Sequence, residues 1–241
     1  VLVLVLILAA CGGGTDSSAG GRRAPRATLV ALGDSVPAGT ACDCKPYPEL
    51  TGTGLSRSIH ERVRTLNDAV PGATSGDVVA QLQDDANVIA EVRGSEAVMV
   101  EIGANDVAFS ATCGTTVSCY EQQFPQLRTN LVATVDRVRA LNRGRHLAIV
   151  LLDYWSVWLG GQYATAQGPA YVDAADAVTQ GVNGVIRSTA RSTGSTYVDV
   201  LHAFRGPNER WDETHLLAAD GEHPNAAGHR RIAEAVRRTV S

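Results

Sequence analysis

Ala97-Val98-Met99-Val100-Glu101-Ile102 runs directly into Gly103-Ala104-Asn105-Asp106. An apolar run bounded by glycine reads as a buried strand, and this one ends where a polar pair begins. The same pattern recurs along the chain. Thr28–Leu32 ends at Gly33-Asp34-Ser35, and Arg62–Leu66 ends at Asn67, shortly before Pro71-Gly72-Ala73-Thr74-Ser75. His146–Leu152 runs into Asp153, and Thr196–Val200 is a fifth strand. Helical patterns fall between, over Gly76–Ala90, Phe124–Asn142, Ala170–Thr193 and Ala226–Val240. Strands alternating with helices predict an α/β fold, three layers deep, around a central and mostly parallel five-stranded sheet. Ligands of such sheets bind beyond the carboxyl ends of the strands. Ser35, Gly72 and Asn105 are therefore expected on one edge.

A fourth segment, Asp220-Gly221-Glu222-His223-Pro224-Asn225, precedes the last helix. A carboxylate three residues before a histidine can hold the imidazole in one tautomer, and that imidazole can deprotonate a serine hydroxyl. Ser35 is the serine, lying two residues past Gly33, where a tight turn can lift its hydroxyl out of the strand. Pro37 and Gly39 argue that no regular helix starts immediately. Gly-Asp-Ser alone is a weak motif, whereas Asp-x-x-His-Pro-Asn before a terminal helix is far more specific.

In order and spacing the four segments resemble those of the SGNH (GDSL-type) serine hydrolases, over essentially all of 28–241. The resemblance implies a flavodoxin-like three-layer fold and a triad of Ser35, His223 and Asp220. It also implies an oxyanion hole from the Ser35 amide, the Gly72 amide and the Asn105 side chain. Such donors are worth roughly 2.7–4 kcal/mol each in a well-studied protease. Gly76 competes for the second place, but Asn67-x4-Gly72 fits the family spacing better. Val36 replaces the usual Leu after the serine, a change in packing only. No cofactor and no metal are implied.

The opening Val1–Ala10 is apolar but shorter than the about 20 residues a membrane span needs. It reads as the remnant of a signal peptide, and Leu8-Ala9-Ala10-Cys11 looks like a lipobox whose cysteine becomes lipidated. Residues 11–26 then form a flexible tether, and 27–241 the hydrolase domain. The protein is expected to be exported and monomeric, held on the outer face of the cell membrane through Cys11 or secreted. Net charge is −4, which gives no reason to expect nucleic acid. Setting Cys11 aside, Cys42, Cys44, Cys113 and Cys119 make an even set, as two disulfides would need. Three connectivities exist. Local pairing is slightly preferred, and crossed pairing would pin the loop after Ser35 to the loop after Asn105. Zinc is the rival reading, but Cys-x-Cys with Cys-x5-Cys is not a familiar ligand spacing.

The expected activity is hydrolysis of carboxylic esters, of small molecules, lipids or carbohydrates, through an acyl-serine. Loops 39–58, 108–124 and 154–170 would build the acyl pocket, and a rigid, modest pocket for short chains is expected. An acyltransferase, a carbohydrate O-deacetylase or a non-catalytic wall-binding lipoprotein are the alternatives. Tyr154-Trp155-Ser156-Val157-Trp158 either lines a pocket or covers the sheet end. Asp34 and Asp106 are either supports or solvated turn carboxylates. His60, His146, His202, His215 and His229 have no partner identifiable in the sequence.

Overall fold

A computed structural model describes residues 27–240. The signal remnant, Cys11 and the tether lie outside the described residues. The chain enters through β1 (Ala27–Gly33), a turn of helix α1 (Ser35–Ala38), α2 (Tyr47–Ser58) and β2 (Val63–Asn67). Helices α3 (Ser75–Asp84) and α4 (Ala86–Arg93) lead to β3 (Ala97–Glu101). Then come α5 (Val117–Glu121), α6 (Phe124–Leu141), β4 (Ala148–Leu152), α7 (Gly161–Thr165) and α8 (Pro169–Thr193). The chain closes with β5 (Thr196–Val198), α9 (Val200–Arg205) and α10 (Ala226–Val240).

The five strands form one parallel sheet in the order β2-β1-β3-β4-β5. Its centre is apolar throughout, as both faces are covered: Leu29 to Leu32, Val98 to Val100 and Ile149 to Leu152 are all buried. Helices α2 and α10 pack together on one face, with α9 beside them, while α3, α6 and α8 cover the other. This is the three-layer fold expected. The order also places a topological switch point between β1 and β3, where connections leave toward opposite sides and a crevice opens.

Three local expectations are corrected, and one left open is decided. The helix read over Gly76–Ala90 is two helices, because Asp85 leaves helical geometry and caps α4, its Oδ1 accepting from Asn87 N at 2.8 Å and Val88 N at 3.2 Å. Residues 39–58 are not one loop, since 47–58 is helix α2. Its Thr51-Gly52-Thr53-Gly54 stretch has poor helix propensity. Tertiary packing overrides that: a Cβ on Gly52 would lie 1.9 Å from Thr65 Oγ1, and one on Gly54 would lie 2.5 Å from Arg237 Cδ. A helix does start at Ser35, for one turn. Proline is tolerated in a first turn, and Gly39, at φ 84°, ends it. Trp155 and Trp158 are buried at the sheet end, so they cover it; Trp155 stacks on Phe204 at 4.4 Å, and Trp158 Nε1 donates to Val107 O at 2.8 Å.

Candidate active site

The turn after β1 is possible only with glycine. Gly33 has φ 146°, and a Cβ there would meet the Glu101 carbonyl oxygen at 2.0 Å. That closeness lets Asp34 N donate to Glu101 O at 3.2 Å, tying the turn to the end of β3. Asp34 is fully buried. Its carboxylate accepts from Val36 N at 3.0 Å and from the Tyr154 hydroxyl at 2.5 Å. Burial raises its pKa to about 6, against the opposing pull of these hydrogen bonds and of nearby His223. Asp34 is thus no solvated turn residue; it clamps the turn that presents partly exposed Ser35. Glu101 beneath it is also fully buried, and burial, then the charge of Asp34, push its pKa well up.

The second wall follows β2. Asn67 Nδ2 donates to Pro37 O at 2.8 Å and Val70 N to Gly33 O at 2.9 Å, holding this loop against the Ser35 turn. Gly72 has φ 81° and is exposed, with nothing within 4 Å of where a Cβ would stand. Competing Gly76 is instead within α3. Asn105 opens a 3-10 turn, Asn105–Val107, and its Nδ2 donates to Ala73 O at 2.8 Å. Next to it, Asp106 accepts from Ser75 N at 2.9 Å and Ser75 Oγ at 2.5 Å. The two polar residues after β3 therefore hold the segment after β2 in place. Burial raises the Asp106 pKa despite those bonds.

The fourth segment is a compact loop. Asp220 Oδ1 accepts from the backbone of Glu222 and His223, each at 3.0 Å, and Oδ2 meets His223 Nδ1 at 2.8 Å. Burial raises the Asp220 pKa, but these hydrogen bonds outweigh it and the net shift is downward. Ala218 N donates to His223 O at 2.7 Å and Gly160 N to Gly221 O at 2.9 Å. Asn225 caps α10, its Oδ1 accepting from Ala227 N at 2.8 Å and Gly228 N at 3.1 Å. His223 lies near enough to Asp34 and to His229 for its charge to act on both. No hydrogen bond joins Ser35 to His223 among the described residues; catalytic hydrogen bonds are often long before substrate binds.

The sequence left other partnerships hidden. Tyr154 reaches Asp34 across 120 residues. Buried His229 accepts from Tyr47 N through Nδ1 at 3.2 Å, joining α10 to α2. His202 pairs with Asp199 at 2.7 Å. No motif marks these; only the aromatic run at the end of β4 hinted at Tyr154. The cysteines are bridged locally, Cys42 to Cys44 and Cys113 to Cys119, with Cα separations of 5.1 and 5.8 Å.

A serine on a tight turn, a carboxylate-oriented imidazole and an asparagine amide after β3 form the constellation for acyl transfer. The model of the GDSL-like lipase/acylhydrolase family matches residues 31–231. The chain belongs to this family. Solved structures agree on the fold of this GDSL-family chain. A lipase from a goat rumen metagenome matches with a TM-score of 0.69 at 17% identity, over 88% of this chain and 97% of that one. An acetyl-xylooligosaccharide esterase from Geobacillus stearothermophilus matches with a TM-score of 0.64 at 20% identity, over 90% and 95%. A hydrolase from the metagenome of Lake Arreo, Spain, gives 0.62 at 21%, over 90% and 95%. No curated protein matches the sequence.

Proposed function

We propose that this ester hydrolase is an extracytoplasmic serine esterase acting through an acyl-serine, with a preference for short acyl chains. The 2.8 Å Asp220–His223 contact carries the reading, because it leaves Nε2 of His223 as the basic nitrogen on the edge where Ser35 stands. Ser35 Oγ attacks the ester carbonyl and passes its proton to Nε2. The amides of Ser35 and Gly72 and the Asn105 Nδ2 receive the oxyanion. His223 then protonates the leaving alcohol, and a water deprotonated by the same histidine releases the acid. Aromatic side chains packed beside the Asn105 turn, Trp158 with Tyr120 at 4.8 Å and with Tyr171 at 5.5 Å, fill space a long acyl chain would need. Export and attachment through lipidated Cys11 rest on the sequence alone, and mass spectrometry of the mature amino terminus tests them.

One observation favours carbohydrate esters. A cleft of about 160 Å³ is lined by Trp211, Arg205, Asp176, Gln162 and Glu213. Gly160, also in its wall, donates to the loop that carries His223. Trp211 is 56% exposed, its ring backed by Gly206, and an open aromatic face among polar groups suits a sugar ring.

A p-nitrophenyl ester series from acetate to palmitate, assayed with the protein and its Ser35→Ala variant, tests the proposal. Turnover is expected, falling with chain length and lost in Ser35→Ala with the fold intact. Full activity of that variant refutes the mechanism.

A further inference from the structure

Cys42 and Cys44 are bridged around one residue, Asp43. Stabilisation by a cross-link grows with the loop it closes, so a ring this small is poorly explained as a staple. Both cysteines are partly exposed, and Ala41, Asp43 and Lys45 around them are exposed, so the bridge is open to a reagent. A ring nitrogen of His229 and the two sulfurs all lie within 4.8 Å of one another. His229 is fully buried. Its Nδ1 accepts from Tyr47 N, so the neutral ring carries its proton on Nε2. That buried Nε2–H has no hydrogen-bond partner, a condition rare enough in folded proteins to need a reason. Burial keeps the ring neutral by lowering its pKa to about 4, with the charge of His223 adding to it.

We propose that Cys42–Cys44 is a thiol–disulfide exchange site, with a dithiol as co-substrate and His229 as the donor that stabilises the departing sulfur. A thiolate of the dithiol attacks one sulfur of the bridge, forms a mixed disulfide and expels the other sulfur as a thiolate. As the bridge opens, the freed side chain turns onto the ring's one N–H, at Nε2, which hydrogen-bonds to the thiolate and improves it as a leaving group. The second thiol of the reductant then displaces the mixed disulfide. Two electrons and two protons have passed to the protein: the reductant leaves as a disulfide, and Cys42 and Cys44 are thiols. The same tautomer argues against a metal at this cluster, because Nδ1 already accepts from Tyr47 N and a ligating Nε2 would need the ring proton on Nδ1. The site is joined to the esterase turn, since Cys42 N donates to Gly39 O and Thr40 N to Ser35 O.

Cys113–Cys119 is an internal reference, also partly exposed but closing a longer loop. The test equilibrates the full chain with graded reduced and oxidised dithiothreitol at neutral pH, then quenches with acid, alkylates and maps the peptides. Cys42–Cys44 is expected to open at a ratio about tenfold or more below that for Cys113–Cys119, with the circular dichroism spectrum unchanged. Both bridges opening together, or Cys42–Cys44 opening only as the fold is lost, overturns the proposal. This measurement needs no variant. In the reduced protein, iodoacetamide labelling of Cys42 and Cys44 is expected to slow about tenfold in His229→Gln, which keeps an acceptor for Tyr47 N–H. An unchanged rate overturns the role of His229.

Discussion

Asp34 and Asn105 show how much one polar side chain can do on a sheet edge. Asp34 has a folded pKa of about 6, above the 3.8 of a free aspartate, so the folded state binds its proton more tightly. Its contribution to stability is full below pH 4 and lost as pH rises through 6, by about 3 kcal/mol for a shift of this size. Asp34→Asn removes that dependence; denaturant titrations at pH 4 and pH 7 are expected to show a smaller loss in the variant than in the parent. In the proposed mechanism, Asn105→Ala leaves the developing oxyanion one donor short. It is expected to lower kcat on a p-nitrophenyl ester about 10²- to 10³-fold while KM changes little. A large rise in KM with constant kcat would assign Asn105 to substrate binding instead.

Glycine decides how closely α2 packs against β2 and α10. Helix α2 carries two glycines where neither helix propensity nor a turn asks for them. Both stand where side chains of β2 and α10 press against the helix. Gly52→Ala should improve the isolated helix, yet it places a methyl 1.9 Å from Thr65 Oγ1. Overpacking dominates, and the variant is expected to lose about 1–3 kcal/mol in urea unfolding. Adding Thr65→Ala should recover part of the loss, because it deletes the atom in the way. Were Gly52→Ala as stable as the parent, the contact between α2 and β2 would be looser than described.

At the scale of the molecule, His229 links acid sensitivity to assembly. It is buried where α10 meets α2, and its ring accepts from the first residue of α2. Its folded pKa of about 4 lies below the 6.5 of a free histidine. The neutral form is therefore stabilised on folding; this contribution is full above pH 6.5 and lost as pH falls through 4, by about 3 kcal/mol. Asp34 slopes the other way over an overlapping window, so each group is read as the difference between parent and variant. His229→Gln is expected to show a shallower loss of stability between pH 7 and pH 4.5 than the parent. Identical slopes would mean that the histidine is solvated in the folded state.

Ala97–Ile102, Thr28–Leu32 and His146–Leu152 announced buried parallel strands, because a strand covered on both faces must be apolar at every position. Asp220 and His223 were legible because they meet within one short loop, three residues apart. That this loop meets Ser35, Gly72 and Asn105 is an inference from strand order, which puts the turns after β1 and β3 at the switch point of the sheet. What the sequence could not disclose was contact across long separations. Tyr154 on Asp34, Asp106 on Ser75 and His229 on Tyr47 join residues 31 to 182 positions apart. A tyrosine or histidine looks the same in sequence whether it faces water or holds a buried partner. Glycine in α2 likewise reads as a breaker until the neighbouring strand and helix show why no side chain fits there. Local patterns and short spacings determined the fold and the motif residues; tertiary packing alone decided which polar groups were buried, and burial set their partners and their pKa shifts.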